Sequence, residues 1–256
     1  MNKYLMLCKF SLKTKMVFMT DFLFSIFGFT LHMFVFNELW DYILKDKQIL
    51  GYTKNELIWY IVMAEVIMYL FGRSYRYIAE LIKTGDVANL LVKPIDFMKY
   101  IICNQADVIV TLVVNIISAV IIGIIMAGTI SLSFVQLLFF VTSLIISTCI
   151  VVLLQTLLGL LAFFIEENEA FYLIFSKLML ILAFTPLEFF PNYIQYILRI
   201  LPTTYAIYPI GKILVNFEIN EAIGLIISQV ISLIFLLGLD LLLKRKGVQN
   251  TYVNGG

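Results

Sequence analysis

Between Asp107 and Glu166 the chain carries no charged side chain at all. As one helix those 58 positions would reach about 87 Å at 1.5 Å per residue, nearly three times the roughly 30 Å hydrocarbon core of a bilayer. The stretch therefore predicts two spanning helices and a turn. The turn is placed at 128–133, Gly-Thr-Ile-Ser-Leu-Ser, the only cluster of small and polar residues inside it. The rest of the chain agrees: of 256 residues 62% are hydrophobic and 14% charged, against about 45–50% and 25% in soluble domains. A water-soluble globule is excluded. Backbone polar groups in hydrocarbon must pair within the protein, and the apolar runs lack the alternation of barrel strands, so the expected class is all-α and polytopic.

Six spans are expected, at 22–40, 57–72, 105–127, 134–164, 170–187 and 222–243. Residues 1–20 form an N-terminal cytosolic or interfacial helix, with Leu5, Cys8, Leu12 and Met16 as its weak apolar face, and the polar 247–256 a disordered tail. With the N-terminus inside, inner segments hold twelve Lys and Arg and outer loops five, Lys45, Lys47, Lys54, Arg199 and Lys212. The bias places both termini in the cytoplasm. No small-x-small site follows the first span, so it is read as a helix of the protein and not as a signal peptide.

Several chemistries are absent. A net charge of +1 gives no field for nucleic acid. Gly211-Lys212 is followed by Ile213, so no phosphate-binding loop of the G-x-x-x-x-G-K-[ST] kind exists. One histidine, His32, cannot build a multi-histidine metal site, and Cys8, Cys103 and Cys149 stand in no metal-like or disulfide-like spacing. No cofactor is expected on this chain, and any ATPase must be a separate subunit.

Two connecting segments are unusual. Residues 73–104 form the longest inner loop. Charges at Arg73, Arg76, Glu80 and Lys83 recur at helical spacing, which predicts that the second helix continues into the cytosol. Gly85 then caps it, Asp86 opens a short helix over Val87–Val92, and Lys93-Pro94 stops that helix. This is either a solvated turn or a docking helix presenting Leu90 and Leu91. After the fifth span, 188–211 is too rich in proline for one helix and too apolar for a free loop, so short helices dipping into the outer leaflet are expected there.

Six spans, an inner Gly85-Asp86…Leu91…Pro94 loop and an outer Phe189-Phe190-Pro191…Leu201-Pro202…Tyr205 segment resemble the permease subunits of type-2 ATP-binding-cassette (ABC) exporters. The resemblance implies that Gly85, Asp86, Leu90, Leu91 and Pro94 belong to a coupling helix resting on the ATPase. It also implies that Phe190, Pro191, Pro202 and Tyr205 belong to an outer re-entrant segment between spans five and six. The implied partners are two ATPase chains, which carry ATP and Mg, and a second permease chain, identical or related, in a bacterial plasma membrane. The substrate class left by the apolar spans is a lipophilic drug, peptide or lipid-like molecule. An ion-coupled secondary transporter or channel without an ATPase is the alternative, although neither inverted repeats nor paired carboxylates are visible.

Polar residues within the spans are candidates for the path or for contacts between helices: His32, Glu65, Asn115, Gln155 and Lys177. Glu65 and Lys177 lie at matching depths, about 12 and 10 Å from the inner ends of their spans, and are expected to pair. Glu166 and Glu167, in an acidic inner loop, are either a solvated face or a dock for basic residues of the ATPase.

Overall fold

The computed structural model describes residues 3–17, 19–44, 48–72 and 74–254. Among these every regular element is helical: α1 (Lys3–Val17), α2 (Met19–Leu44), α3 (Lys54–Leu70), α4 (Ser74–Lys83), α5 (Asp86–Val92), α6 (Phe97–Asn104), α7 (Val108–Ala127), α8 (Phe134–Leu160), α9 (Glu169–Phe184), α10 (Asn192–Leu198), α11 (Pro202–Val215) and α12 (Ile219–Asn254). Four stretches of the described residues are long and apolar enough to cross a membrane, Lys54–Lys83, Phe97–Ala127, Phe134–Phe163 and Ile219–Gln249. The other two expected spans fall on α2 and on α9, whose 16 residues reach about 24 Å.

Helix boundaries follow local chemistry. Thr53 and Glu56 form a reciprocal capping box at the start of α3, with Thr53 N–H donating to Glu56 Oε2 at 2.8 Å. Ser133 caps α8 by accepting from Gln136 N–H at 3.1 Å. Gly128 closes α7, and 128–133 is the link between α7 and α8.

α3 is the axis of the bundle. Every residue from Leu57 to Ile67 is buried, as expected for a helix apolar on all sides. It packs against α2, α7, α9 and α11, whereas α8 joins α4, α11 and α12. The outer long helices bury only 28% of their most apolar window, against 76% for the stretch containing α3; their remaining faces, including Ile125, Ile231 and Ile234, are exposed and apolar, as lipid contact requires.

Hydrogen bonds fix the registers. Gln229 of α12 donates to Ser147 Oγ of α8 at 2.8 Å and to the Tyr205 carbonyl of α11 at 3.1 Å. At one end of α8, Gln136 donates to the Ile213 and Leu214 carbonyls at 3.1 and 2.7 Å, whereas Gly247 of α12 lies against Phe163 near the other. α12 therefore runs parallel to α8, and α11 antiparallel to both.

Three expectations change. The second span does not continue unbroken into α4: helical geometry stops at Leu70 and resumes at Ser74, with Arg73 outside the described residues. The third long helical stretch begins at Phe97 instead of 105, because α6 joins α7 through a single 3₁₀ turn at Gln105–Asp107. The polar 247–254 continue α12 as helix where a disordered tail is expected; Gly255 and Gly256 lie outside the described residues, as do Lys45 and Lys47.

Candidate functional site

At one end of the bundle α4, α5 and α6 form a compact unit. Gly85 adopts φ 78°, the left-handed conformation that lets the chain turn sharply from α4 into α5. Thr84 Oγ1 donates to the Glu80 carbonyl at 2.9 Å and to Asp86 Oδ2 at 3.0 Å, which ties the turn together. α5 stops before Pro94, and Asp96 caps α6 by accepting from Lys99 N–H at 2.9 Å. That hydrogen bond, with the Lys244 ammonium 3.1 Å away, holds the Asp96 carboxyl below its ordinary range.

Beneath α5 lies a second, smaller apolar core of Ile78, Val87, Phe97, Met98, Ile101 and Leu160, on which Leu90 and Leu91 pack half-buried. The two leucines thus hold α5 onto its own protein. The freely presented apolar residue is Val92, 87% exposed, beside exposed Ala88 and Asn89. Depth of apolar contact, which spacing along a seven-residue helix cannot reveal, decides which residues point outward.

α1 clasps the same unit. Ser11 Oγ donates to the Asn104 carbonyl at 2.6 Å and accepts from Asp107 N–H at 3.2 Å, while Tyr4 Oη accepts from Asp96 N–H at 2.9 Å and Lys3 bonds the Pro94 carbonyl. The bundle-facing stripe is therefore Tyr4 and Ser11. Leu5 and Met16 of the expected apolar face are exposed.

Beside α4 runs a groove of about 520 Å³, lined by Arg76, Glu80, Lys83, Glu167 and Glu169 among others. Arg76 binds Glu169 at the start of α9 through two of its three guanidinium nitrogens, Nη2–Oε1 at 2.5 Å and Nε–Oε2 at 3.2 Å, and Tyr75 Oη also donates to Glu169. Glu166 and Glu167 are exposed.

Inside the bundle Glu65, fully buried, pairs with His32 Nδ1 at 2.6 Å. It does not pair with Lys177, which is exposed on α9. Equal depth placed Glu65 and Lys177 at one height, but height leaves open the direction in which each side chain leaves its helix, and Glu65 points to α2. His32 is 38% exposed and edges onto Phe184, which stacks on Phe36 at 3.8 Å and so joins α2 to α9. Asn115 is buried in α7 and its Nδ2 has no partner among the described residues.

Gln155 of α8 is buried and reaches across to the break after α3. Its Nε2 donates to the Leu70 carbonyl at 3.1 Å and its Oε1 accepts from Ser74 N–H at 3.1 Å.

At the opposite end from α5, Glu188 Oε1 accepts from Lys212 Nζ at 2.7 Å, Tyr208 Oη at 2.7 Å and Tyr52 Oη at 3.2 Å. Lys212, expected in an outer loop, is 7% exposed. Its charge is neutralised by Glu188 and, at 3.5 Å, by Glu221. Of the expected re-entrant residues, Pro191 precedes α10 and Pro202 opens α11. The Phe190 carbonyl accepts from Gln195 at 2.8 Å, and the Tyr205 carbonyl is the acceptor of Gln229.

Sequence reasoning missed Tyr60, Gln229 and Gln136. A proline four residues beyond a helical carbonyl leaves that carbonyl without its N–H, which marks Leu182 (before Pro186) and Tyr205 (before Pro209) as acceptors in need of a donor. Tyr60 Oη supplies the first at 3.0 Å and Gln229 the second.

Residues 16–255 match the family described as ABC-2 family transporter protein. No curated protein matches the chain.

Proposed function

We propose that this chain, which belongs to the ABC-2 family of transporter membrane proteins, is the permease subunit of an ATP-driven exporter whose ATPase is a separate chain. The observation that carries this reading is the α4–α5–α6 unit. A seven-residue helix, seated on its own small core and bounded by Gly85 and Pro94, presents Ala88, Asn89 and Val92 outward. A rigid knob of this kind transfers motion from a partner, because its packing cannot absorb the push. Asp86 and Lys93, both exposed, give the knob a polar rim.

In this reading the α5 end faces the cytoplasm, in keeping with the basic bias, and α2 and α9 complete six crossings. ATP and Mg are bound by the partner, and Glu166 and Glu167 flank its docking site. α10 and α11 form the re-entrant outer hairpin; the register that sets Leu214 beside Gln136 and Tyr205 beside Gln229 supports it. The exposed Lys177 and half-exposed His32 turn α2 and α9 toward a second permease chain, since charge at that depth disfavours lipid. A lipophilic substrate suits the walls between the two.

The test replaces Ala88 and Val92 together by Asp. Both side chains point away from the core, so the variant should insert and remain monodisperse while losing co-purification with its ATPase and nucleotide-dependent transport. Retention of both at normal levels would overturn the coupling role of α5.

A further inference from the structure

The break between α3 and α4 has an unusual construction. Phe71 lies at φ −76°, ψ 66°, and Gly72 N–H donates to the Leu70 carbonyl at 2.8 Å, which together make an inverse γ-turn. In a continuous helix Ser74 N–H would bond the Leu70 carbonyl, the ordinary i to i−4 pair. Here the primary amide of Gln155 stands between them, giving an N–H to Leu70 and taking one from Ser74, each at 3.1 Å. A carbonyl only accepts and an amide N–H only donates, so the partners themselves fix which way the Gln155 amide points. A side chain inserted into the helical ladder is a recognised origin of a sharp kink.

The far side of the break is held by α9. The Tyr172 ring stacks on Phe71 before the break, centroids 5.4 Å apart, and on Tyr75 after it, 4.6 Å apart. One turn earlier in α9, Glu169 accepts from Tyr75 and from Nε and Nη2 of Arg76. α4 is thus bonded to the first turn of α9 by charge and packs along α8 through Ile78 against Gly159 and Leu160, whereas its attachment to α3 is a turn and a borrowed amide.

We propose that the α3–α4 break is the pivot of the coupling unit and that Gln155 is its pin, a positioning residue that toggles between two arrangements. With Gln155 inserted, α4 is bent away from α3. With Gln155 withdrawn, Leu70 and Ser74 bond each other and α4 swings toward the line of α3, taking α9 with it through Arg76 and Glu169. This rests on the reading of α5 as the ATPase contact, for that contact is what would drive the swing. Both arrangements satisfy the Leu70 and Ser74 groups, so the break is a two-state element and not a soft loop. α9 carries the exposed Lys177 and meets His32 through Phe184, so the swing bears on the α2–α9 face.

The experiment measures a distance with nitroxide labels on cysteines at Lys83, the tip of α4, and Leu242, exposed on α12, with Cys8, Cys103 and Cys149 replaced by serine. α4 has ten residues, about 15 Å, so a kink of about 20° moves its tip by about 5 Å. In the permease alone in nanodiscs, Gln155→Met should displace the distance distribution by up to that amount. Gly72→Ala, which favours helix through the break without touching Gln155, should displace it in the same direction. In the complex with its ATPase, trapping with ATP and vanadate should move the unsubstituted chain the same way and leave Gln155→Met unmoved. If folded, monodisperse Gln155→Met keeps the original distance and only melts sooner, Gln155 is a packing residue and the pin is wrong. If both variants move but trapping moves nothing, the pivot is not driven by nucleotide and its coupling role is overturned. Failure of the chain to retain any ATPase overturns the transport reading instead, and the measurement on the permease alone still decides the pivot.

Discussion

Replacing Gly211 by alanine should destabilise the protein by forcing α11 away from α3. A Cβ built on Gly211 falls 2.2 Å from Tyr60 Cδ2 and 2.5 Å from Cε2, whereas ordinary contact begins at 3.4 Å, so one side must yield by more than an ångström. Tyr60 has nowhere to go: it is fully buried in α3. Its hydroxyl is the donor at 3.0 Å to the Leu182 carbonyl, which Pro186 cannot serve. Overpacking of this kind costs about 1–3 kcal/mol, and a buried carbonyl left without a donor about 1–3 kcal/mol more, so the expected loss is about 2–6 kcal/mol. The assay is reversible unfolding in mixed micelles titrated with sodium dodecyl sulfate. Tyr60→Leu, which removes both ring and hydroxyl, should cost stability itself but make room for the new methyl. In that background Gly211→Ala should cost at least about 1 kcal/mol less than in the native chain. A Gly211→Ala effect within about 0.5 kcal/mol of zero, or simple additivity with Tyr60→Leu, would refute the claim that α11 reaches α3 through this contact.

Four further outcomes are expected. Gln229→Leu should destabilise by about 1–3 kcal/mol by stranding the Tyr205 carbonyl, and Pro209→Ala, which restores an N–H four residues on, should recover part of that loss; no recovery in the double variant would mean that Gln229 acts elsewhere. His32→Ala should destabilise by leaving Glu65 uncompensated, and Glu65→Gln in the same chain should offset it; a double-mutant cycle with no coupling would show the 2.6 Å contact to be energetically idle. Because the Asp96 carboxyl is held low in the folded state, its contribution is present above about pH 4, the unfolded value, and is lost as pH falls through the lower folded value. Asp96→Asn should therefore flatten the acid limb of the stability curve, and an unchanged limb would count against the cap. A cysteine at exposed Lys99 should resist a membrane-impermeant maleimide in intact cells and react after lysis, whereas one at buried Lys212 should react poorly in both; labelling at 99 in intact cells would invert the orientation.

What the sequence discloses here is whatever a short window determines. The α7–α8 link lies at the small polar cluster 128–133, and α5 lies between Gly85 and Pro94, because turn and cap residues act on their own backbone. Direction around a helix axis is another matter. Glu65 and Lys177 share a depth, yet Glu65 bonds His32, since azimuth is set by which neighbour packs where. Lys212 reads as one more outer-loop cation until Glu188 and Tyr52 are brought to it from two other segments, with Tyr208, one turn earlier on α11, bonding the same Glu188. The break after Leu70 is equally hidden: the spacing of Arg76, Glu80 and Lys83 is helical on its own, and the residue that holds the break open comes from α8. The prolines are an intermediate case, because Pro186 and Pro209 name the carbonyls that lack a donor without naming the donor.

Those long-range donors have a consequence for how the chain is made. Ser74 and Leu70 leave the ribosome about eighty residues before Gln155, and Tyr205 leaves before Gln229. A buried backbone group left without a partner is costly, so in a nascent chain ending before α8 the Leu70 carbonyl and Ser74 N–H would close onto each other and α4 would continue α3 as one straight helix. On the pivot proposed above, the bend would be installed afterwards, when α8 enters and trades its amide for that bond, and α11 would gain the donor to its Tyr205 carbonyl only when α12 arrives. α12 would thereby give the bundle its final form, since a chain truncated before it would lack the donor that the Tyr205 carbonyl of α11 takes from Gln229.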